Sequence, residues 1–347
     1  MRLLRPILAL AGLVAFHCAS SPEDPDGPIP QPPDTSASPT TAVTTFAVDT
    51  ILLGDTDRSG TTDAQAWMEY GYDLDRHVTN GASTDVCTLA PETPAAIQID
   101  GDEGTDNAAG AVLLPLLSFW MPLEHPSTAA TAAILQGTAT LEIEVTGLST
   151  DTAQSATGLS AQVFVGAPLG AAPAFGPDLQ WPVAPSSLSD HATLASGALA
   201  QLPTVYVTNG TVVATGATQP IVIPLVFDGK PLVLRIHHPI VTFVPTSSGA
   251  TDGVIAGVLQ ADEVAAAARA YVALTYVSDC GPNWDAYAAA IAEAQDILSD
   301  GTNAPGILCD AISIGIGFTA KRIANPTQVG ADLSIPDPCG AADAGAD

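Results

Sequence analysis

The sequence predicts a mainly β protein: an antiparallel, jelly-roll-like β-sandwich with an inserted, disulfide-stapled helical hairpin. Three observations predict it. First, short segments alternate apolar and polar residues with period two, as Leu141, Ile143 and Val145 do against Glu142 and Glu144. Second, such segments are joined by tight-turn dipeptides. Asn209-Gly210 lies between Val205–Thr208 and Thr211–Val213, and Asp228-Gly229 follows Ile221–Phe227. Both dipeptides suit the positive φ of a two-residue hairpin turn. Third, one alanine-rich region over 260–300 has helical and not strand periodicity, and cysteines flank its second half.

In chain order, residues 1–18 read as a targeting segment. Arg2 and Arg5 precede an apolar run from Ile7 to Phe16 that is too short to span a bilayer. The segment resembles a bacterial lipoprotein signal in which Cys18 is lipidated and becomes the mature N-terminus. It departs from that motif at His17, where a small residue is usual, and the alternative is ordinary cleavage and free secretion. Residues 19–45 are rich in Pro, Ser, Thr and Asp and read as a flexible tether, because such a stretch buries too little apolar surface to offset its ordering entropy.

Residues 46–339 read as a single β-rich domain, beginning with turn-rich chain over 46–107. The apolar run from Ala108 to Trp120, broken by Pro115, reads as a short buried helix or two pieces of buried chain. Further strands are expected at Gln162–Val165, Leu232–Ile236, Val241–Val244, Gly253–Leu259 and Ala311–Thr319. A helix is expected from Ala261 to Tyr276, with Asp262 and Glu263 in the first turn where its dipole favours them. A second is expected from Trp284 to Ser299, capped by Asn283 and stopped by Gly301, with Trp284, Tyr287, Ile291, Ala294 and Leu298 forming one apolar stripe. Residues 340–347 read as a disordered tail.

Composition narrows the function classes. Hydrophobic content is 47% but aromatics are 5%, so Ala, Val, Leu and Thr must carry the packing. The formal net charge is −28 with nine basic residues in all, which excludes nucleic acid as a partner class, because displacing phosphate counterions needs lysine and arginine. Cys18 aside, four cysteines remain: Cys87, Cys280, Cys309 and Cys339. Export to an oxidising compartment makes two disulfides the expectation. Of the three pairings, Cys280–Cys309 with Cys87–Cys339 is preferred. The first pair would staple the second helix, and the second would pin the C-terminal tail to the turn-rich region.

Two aspartate-rich loops are the candidate binding features. In the first, Asp55, Asp57, Ser59, Thr61 and Asp63 fall at ligand positions of an EF-hand-like calcium loop with Gly60 at its turn. The closing carboxylate is missing, since Ala66 stands there, and Glu69, Asp73 or Asp75 could complete the site. The second loop offers Asp100, Asp102 and Asp106 in a weaker version of the pattern. The alternative for both is a solvated turn whose aspartates bond their own backbone.

Catalytic signals are sparse. Glu142 and Glu144 share a strand face, as the paired acids of some sandwich-fold glycosidases do, but the ordinary reading is the wet face of an alternating strand. His237 and His238 are neighbours on a strand and point to opposite faces; His77 and His125 lack a ligand-spaced partner. Trp67, Tyr70 and Tyr72 offer either a sugar-stacking platform or the covered edge of a core. No nucleophile elbow, HExxH, phosphate loop or dinucleotide fingerprint is present.

Several segments together resemble a family of uncharacterised surface lipoproteins of myxobacterial-type genomes. They are LLGDTDRSGT (52–61), the run from Trp67 to Asp75, STDVC ending at Cys87, DGDEGTDNAAG (100–110), GVIAGVL (253–259), CDAISIGIGF (309–318) and PDPC ending at Cys339. The resemblance spans nearly the whole mature chain and implies an exported, anchored protein in which both aspartate loops and four paired cysteines are shared features. It implies no catalytic role. The resulting expectation is a non-enzymatic binding or envelope module at the outer membrane or cell surface, with calcium ordering its N-terminal loops. Its partners would be the membrane, through the lipid, and a surface glycan or protein. A secreted polysaccharide hydrolase and a purely structural envelope protein are the alternatives.

Overall fold

The computed structural model describes residues 29–34, 36–89, 97–115, 125–149, 154–275 and 284–334. Nine strands form one antiparallel sheet: β1 (Val43–Leu52), β2 (Thr140–Thr146), β3 (Ala156–Gly166), β4 (Ala200–Thr208), β5 (Thr211–Thr215), β6 (Ile221–Phe227), β7 (Lys230–Pro245), β8 (Gly249–Gln260) and β9 (Ala311–Ile323). The mainly antiparallel β architecture is as the sequence predicts, and the path through it is up-and-down. Each strand from β1 to β4 pairs with the next, β7 pairs with β8, β8 with β9, and β9 returns to β1.

β7 closes the ring. Its first half pairs with β6 from Lys230 to Ile236, and its second half pairs with β5 through Val241, Thr242 and Phe243. A register shift between His237 and Ile240 separates the halves, where Pro239 lacks a donor and His238 takes a φ of 49°. The Asn209-Gly210 and Asp228-Gly229 hairpins form as expected, with Asn209 and Asp228 both at positive φ.

Inside the ring, Leu141, Ile143 and Val145 join a core centred on Phe46, Phe243 and Phe318, whose ring centroids lie 5.2 and 6.3 Å apart in succession. Helix α1 (Pro126–Leu135) packs against β1 and β6, and α2 (Ala261–Thr275) against β7, while its Tyr271 meets Phe227 of β6 edge-on. α3 (Trp284–Glu293) ends six residues before the predicted Ser299, because the chain then turns to bridge Ile297 to Ala311. Asn283 and Tyr276 lie outside the described residues.

The outer face of the sheet is covered too. Leu52 packs with Ala66 and Tyr70, Val254 and Ala256 with Tyr72, and Val258 with Ile297. Residues after β3 cover β1–β3 in the same way: Trp181 packs on Ala47, and Val183 and Leu188 on Phe164. This second layer reverses one expectation. Glu142 lies in register between Ala47 and Phe164 under that cover, 0% exposed, and not on a wet face.

The cysteine pairing is also corrected. Cys87 bonds Cys309, so neither Cys280–Cys309 nor Cys87–Cys339 forms. The covering layer brings the segment at Cys87 alongside the approach to β9, with Thr88 bridged to Leu308. Cys18, Cys280 and Cys339, the targeting segment and the 340–347 tail lie outside the described residues. The strand begins at Val43, three residues before the predicted domain start, and the end of the tether lies on the domain: Ala37 bridges Ala156, and Tyr206 donates to the Pro30 carbonyl.

Candidate metal centre

The aromatic run Trp67, Tyr70, Tyr72 is buried against the sheet, with exposures of 8%, 0% and 1%. It is a core edge and offers no sugar platform. Tyr70 donates its hydroxyl to the Thr56 carbonyl at 2.8 Å, and the Tyr72 hydroxyl meets that of Thr242 at 2.6 Å. These anchors fix where Asp73 and Asp75 emerge. The loop can lie this close to β9 because Gly315 has no side chain: a Cβ there would sit 2.0 Å from the Tyr70 carbonyl oxygen.

Asn107 knots the same loop to the second aspartate loop. It is 1% exposed. Its Nδ2 donates to the carbonyls of Trp67, Tyr70 and Gly315, and its Oδ1 accepts from the N–H groups of Gly110 and Gly315, all at 3.0–3.2 Å. The residue before it is Asp106. Its own N–H donates to the Tyr72 carbonyl at 3.1 Å, and its Oδ2 accepts from the N–H of Leu74 at 2.6 Å.

Asp73, Asp75 and Asp106 thereby converge, with one carboxylate oxygen from each within 4.8 Å of the others. Asp75 is oriented by the His77 N–H at 2.8 Å and by Asn303 Nδ2 at 2.7 Å. Asn303 in turn accepts from the Cys87 N–H, which ties the centre to the disulfide. Asp73 Oδ1 is buried with no hydrogen-bond partner among the described residues.

Two more acids add to the field. Asp100 accepts from the Thr79 N–H at 2.5 Å, and Asp296 accepts from the N–H and hydroxyl of Ser313 at 2.8 and 2.5 Å. Burial, then the charges of Asp75, Asp296 and Asp100, pushes Asp106 up to about 10. Burial likewise pushes Asp100 and Asp296 up to about 7, against the bonds from Thr79 and Ser313 that pull them down. Burial raises Asp73 as well. The bonds from the main-chain N–H groups of Arg76 and His77 pull Asp73 down in turn, but no lysine or arginine side-chain charge stands among the main causes for these four acids. Such a group of carboxylates resists full ionisation until a cation joins it, and three converging oxygen donors from loops can hold a metal ion.

The first aspartate loop behaves differently. Asp57 Oδ1 accepts from the N–H and hydroxyl of Ser59 and the N–H of Thr61 at 2.7–2.9 Å, and these bonds lower its pKa. Asp63 accepts from the Gln65 N–H, and Asp55 accepts from the N–H and hydroxyl of Ser127 at the start of α1. Their carboxylates serve separate local partners, as in an aspartate turn. In the second loop Asp106 joins the centre and Asp100 borders it, while Asp102 is exposed and opens a turn closed by Thr105 N–H.

Asp73 and Asp75, named from sequence only as acids that could complete the first loop, are the heart of the centre. Asp296 was hidden because it fell inside the segment expected to continue the second helix to Ser299, whereas that helix ends at Glu293. His237 pairs with Glu263 at 2.7 Å and His77 lies 3.4 Å from Asp85, so neither joins the centre. No family model matches the chain, and no curated protein or solved structure matches it.

Proposed function

We propose that this is an exported, non-enzymatic surface module, anchored through lipid on Cys18, whose acidic centre takes calcium as a structural ion. The observation that carries this reading is the convergence of Asp73, Asp75 and Asp106, with one buried, unpartnered oxygen on Asp73. The donors are all oxygen, which favours a hard cation over zinc or copper. Irregular loops supply them, which suits the larger and more variable coordination shell of calcium better than the strict octahedron of magnesium. The ion would bind loops 70–80 and 100–107 together beside the Cys87–Cys309 bond, and the module would present its outer surface to a glycan or protein. The hydrolase alternative loses its support, since Glu142 is sealed from substrate and Glu144 accepts from Gln162 at 2.6 Å.

Calorimetric titration of the full-length protein tests the metal. Calcium should bind with one-to-one stoichiometry, and Asp75→Asn with Asp106→Asn should abolish the heat while Asp57→Asn leaves it unchanged. Absence of binding to the wild type would sink the metal reading. The intact mass of the mature protein tests the anchor: a diacylglycerol increment on Cys18 supports it, and its absence points to free secretion.

A further inference from the structure

The β5–β7 junction is the weak place in the ring. It runs over three residue pairs, Val212–Ala214 against Val241–Phe243, while every other junction of the ring runs over five to ten. So short a ladder has few main-chain bonds to lose, and it opens ahead of longer ones unless something outside holds it.

An outside hold is present. A row in register crosses the junction: Tyr206 of β4, Val213 of β5, Thr242 of β7 and Val254 of β8. The chain neighbours Val212 and Phe243 belong to the inner core, so this row lies on the outer face. Two consecutive residues of the N-terminal segment take hold of its two ends. Ile29 packs on the cluster of Tyr72, Ile240, Val254 and Ala256, on the β7–β8 side. The Pro30 carbonyl accepts from the Tyr206 hydroxyl at 2.5 Å, on the β4 side. Val213 and Thr242, between the two holds, are 0% and 1% exposed. Tyr72 braces the same row from beneath Ile29, its hydroxyl meeting that of Thr242 at 2.6 Å.

Beyond Pro30 the segment is stitched down as far as β1. Thr157 donates its hydroxyl to Ser36 Oγ at 3.1 Å, and the Ala37 N–H donates to the Ser155 carbonyl at 2.9 Å. Thr40 donates its N–H to the Gly147 carbonyl at 3.1 Å and its hydroxyl to the Leu148 carbonyl at 2.9 Å. A strand added to the sheet would form a ladder, but among the described residues this segment makes the single bridge Ala37–Ala156. Pro30, Pro32 and Pro33 explain the difference: they have no N–H to extend a ladder, and their fixed φ lowers the entropy lost when the segment is laid across strands.

We propose that residues 29–34 and 36–40 are a latch that holds the ring shut across its β5–β7 junction, so that releasing this segment opens that junction before the rest of the barrel. The chain upstream of Ile29 is thereby coupled to closure: whatever loads or holds the N-terminal segment acts first on the hold at Ile29 and Pro30, and through it on β5 and β7.

Hydrogen exchange of the full-length protein, read by mass spectrometry, tests the latch. Tyr206→Phe keeps the ring and removes only the hydroxyl that holds Pro30, and Ile29→Ser removes the other hold. In the double variant the amides of residues 211–215 and 240–244 should exchange about tenfold faster or more, while those of 254–259 and 312–317, in the long β8–β9 ladder, change by less than about twofold. Tyr206→Phe alone should move the same amides in the same direction by less. Unchanged exchange at 211–215 and 240–244 would overturn the latch, and so would equal acceleration of every strand, which marks a general loss of stability and not a local opening. Neither substitution touches Cys18 or the acidic carboxylates, so the result is independent of the anchor and of the ion.

Discussion

Glu142 shows how far one side chain can depart from its sequence pattern. Its strand alternates as a half-wet strand should, yet the layer carrying Trp181 and Val183 covers the polar face and leaves both carboxylate oxygens without hydrogen-bond partners among the described residues. Burial, and then the charge of Glu144, raises its pKa well above 4.5. Such a group contributes full stability while protonated in both states, and the contribution falls as pH rises above the unfolded value. Glu142→Met should therefore stabilise the protein at pH 7 by about 1–3 kcal/mol and flatten the loss of stability between pH 4.5 and 7. Urea melts at several pH values measure this; a variant less stable than wild type at pH 7 contradicts it. Asn107 is the opposite case, a buried polar group with every bond made. Asn107→Ala should cost about 3 kcal/mol, since several buried backbone groups lose their partner at once, and the same melts read it.

At the level of elements, the hairpins were legible because they rest on local chemistry: Asn-Gly and Asp-Gly supply their turns whatever the rest of the chain does. The start of helix α3 at Trp284 was legible, but its C-terminal end and the disulfide were not, because both depend on which loops the sheet gathers on its outer face. Cysteine spacing favoured a staple across the helix; the structure uses Cys87 and Cys309, 222 residues apart, to fasten two covering segments to each other. A bond closing so long a loop restricts the unfolded chain strongly. Cys87→Ser with Cys309→Ser should lower stability by about 4 kcal/mol in denaturant melts. Because the disulfide holds in place the main chain whose Cys87 N–H donates to Asn303, and Asn303 orients Asp75, the pair should weaken calcium binding, and unaltered binding would separate the disulfide from the centre.

For the whole molecule, the mainly β class followed from patterning alone, while the closing of the ring through β5 and β7 is a long-range pairing that no local signal carries. The acidic centre was half legible. The sequence pointed to aspartate loops beside Trp67–Asp75, but template spacing favoured Asp55–Asp63, whose carboxylates satisfy their own turn. Convergence of Asp73, Asp75 and Asp106 is a product of Gly315 and Asn107 bringing two loops onto β9. On the proposed reading, an ion held there would serve stability, as a fastening of that covering layer. The most direct measurement is diffraction from crystals of the full-length protein grown in calcium. The account predicts one ion at 2.3–2.6 Å from oxygens of Asp73, Asp75 and Asp106, the usual calcium–oxygen distance. An ion instead among Asp55, Asp57 and Asp63, or none at either place, would contradict it.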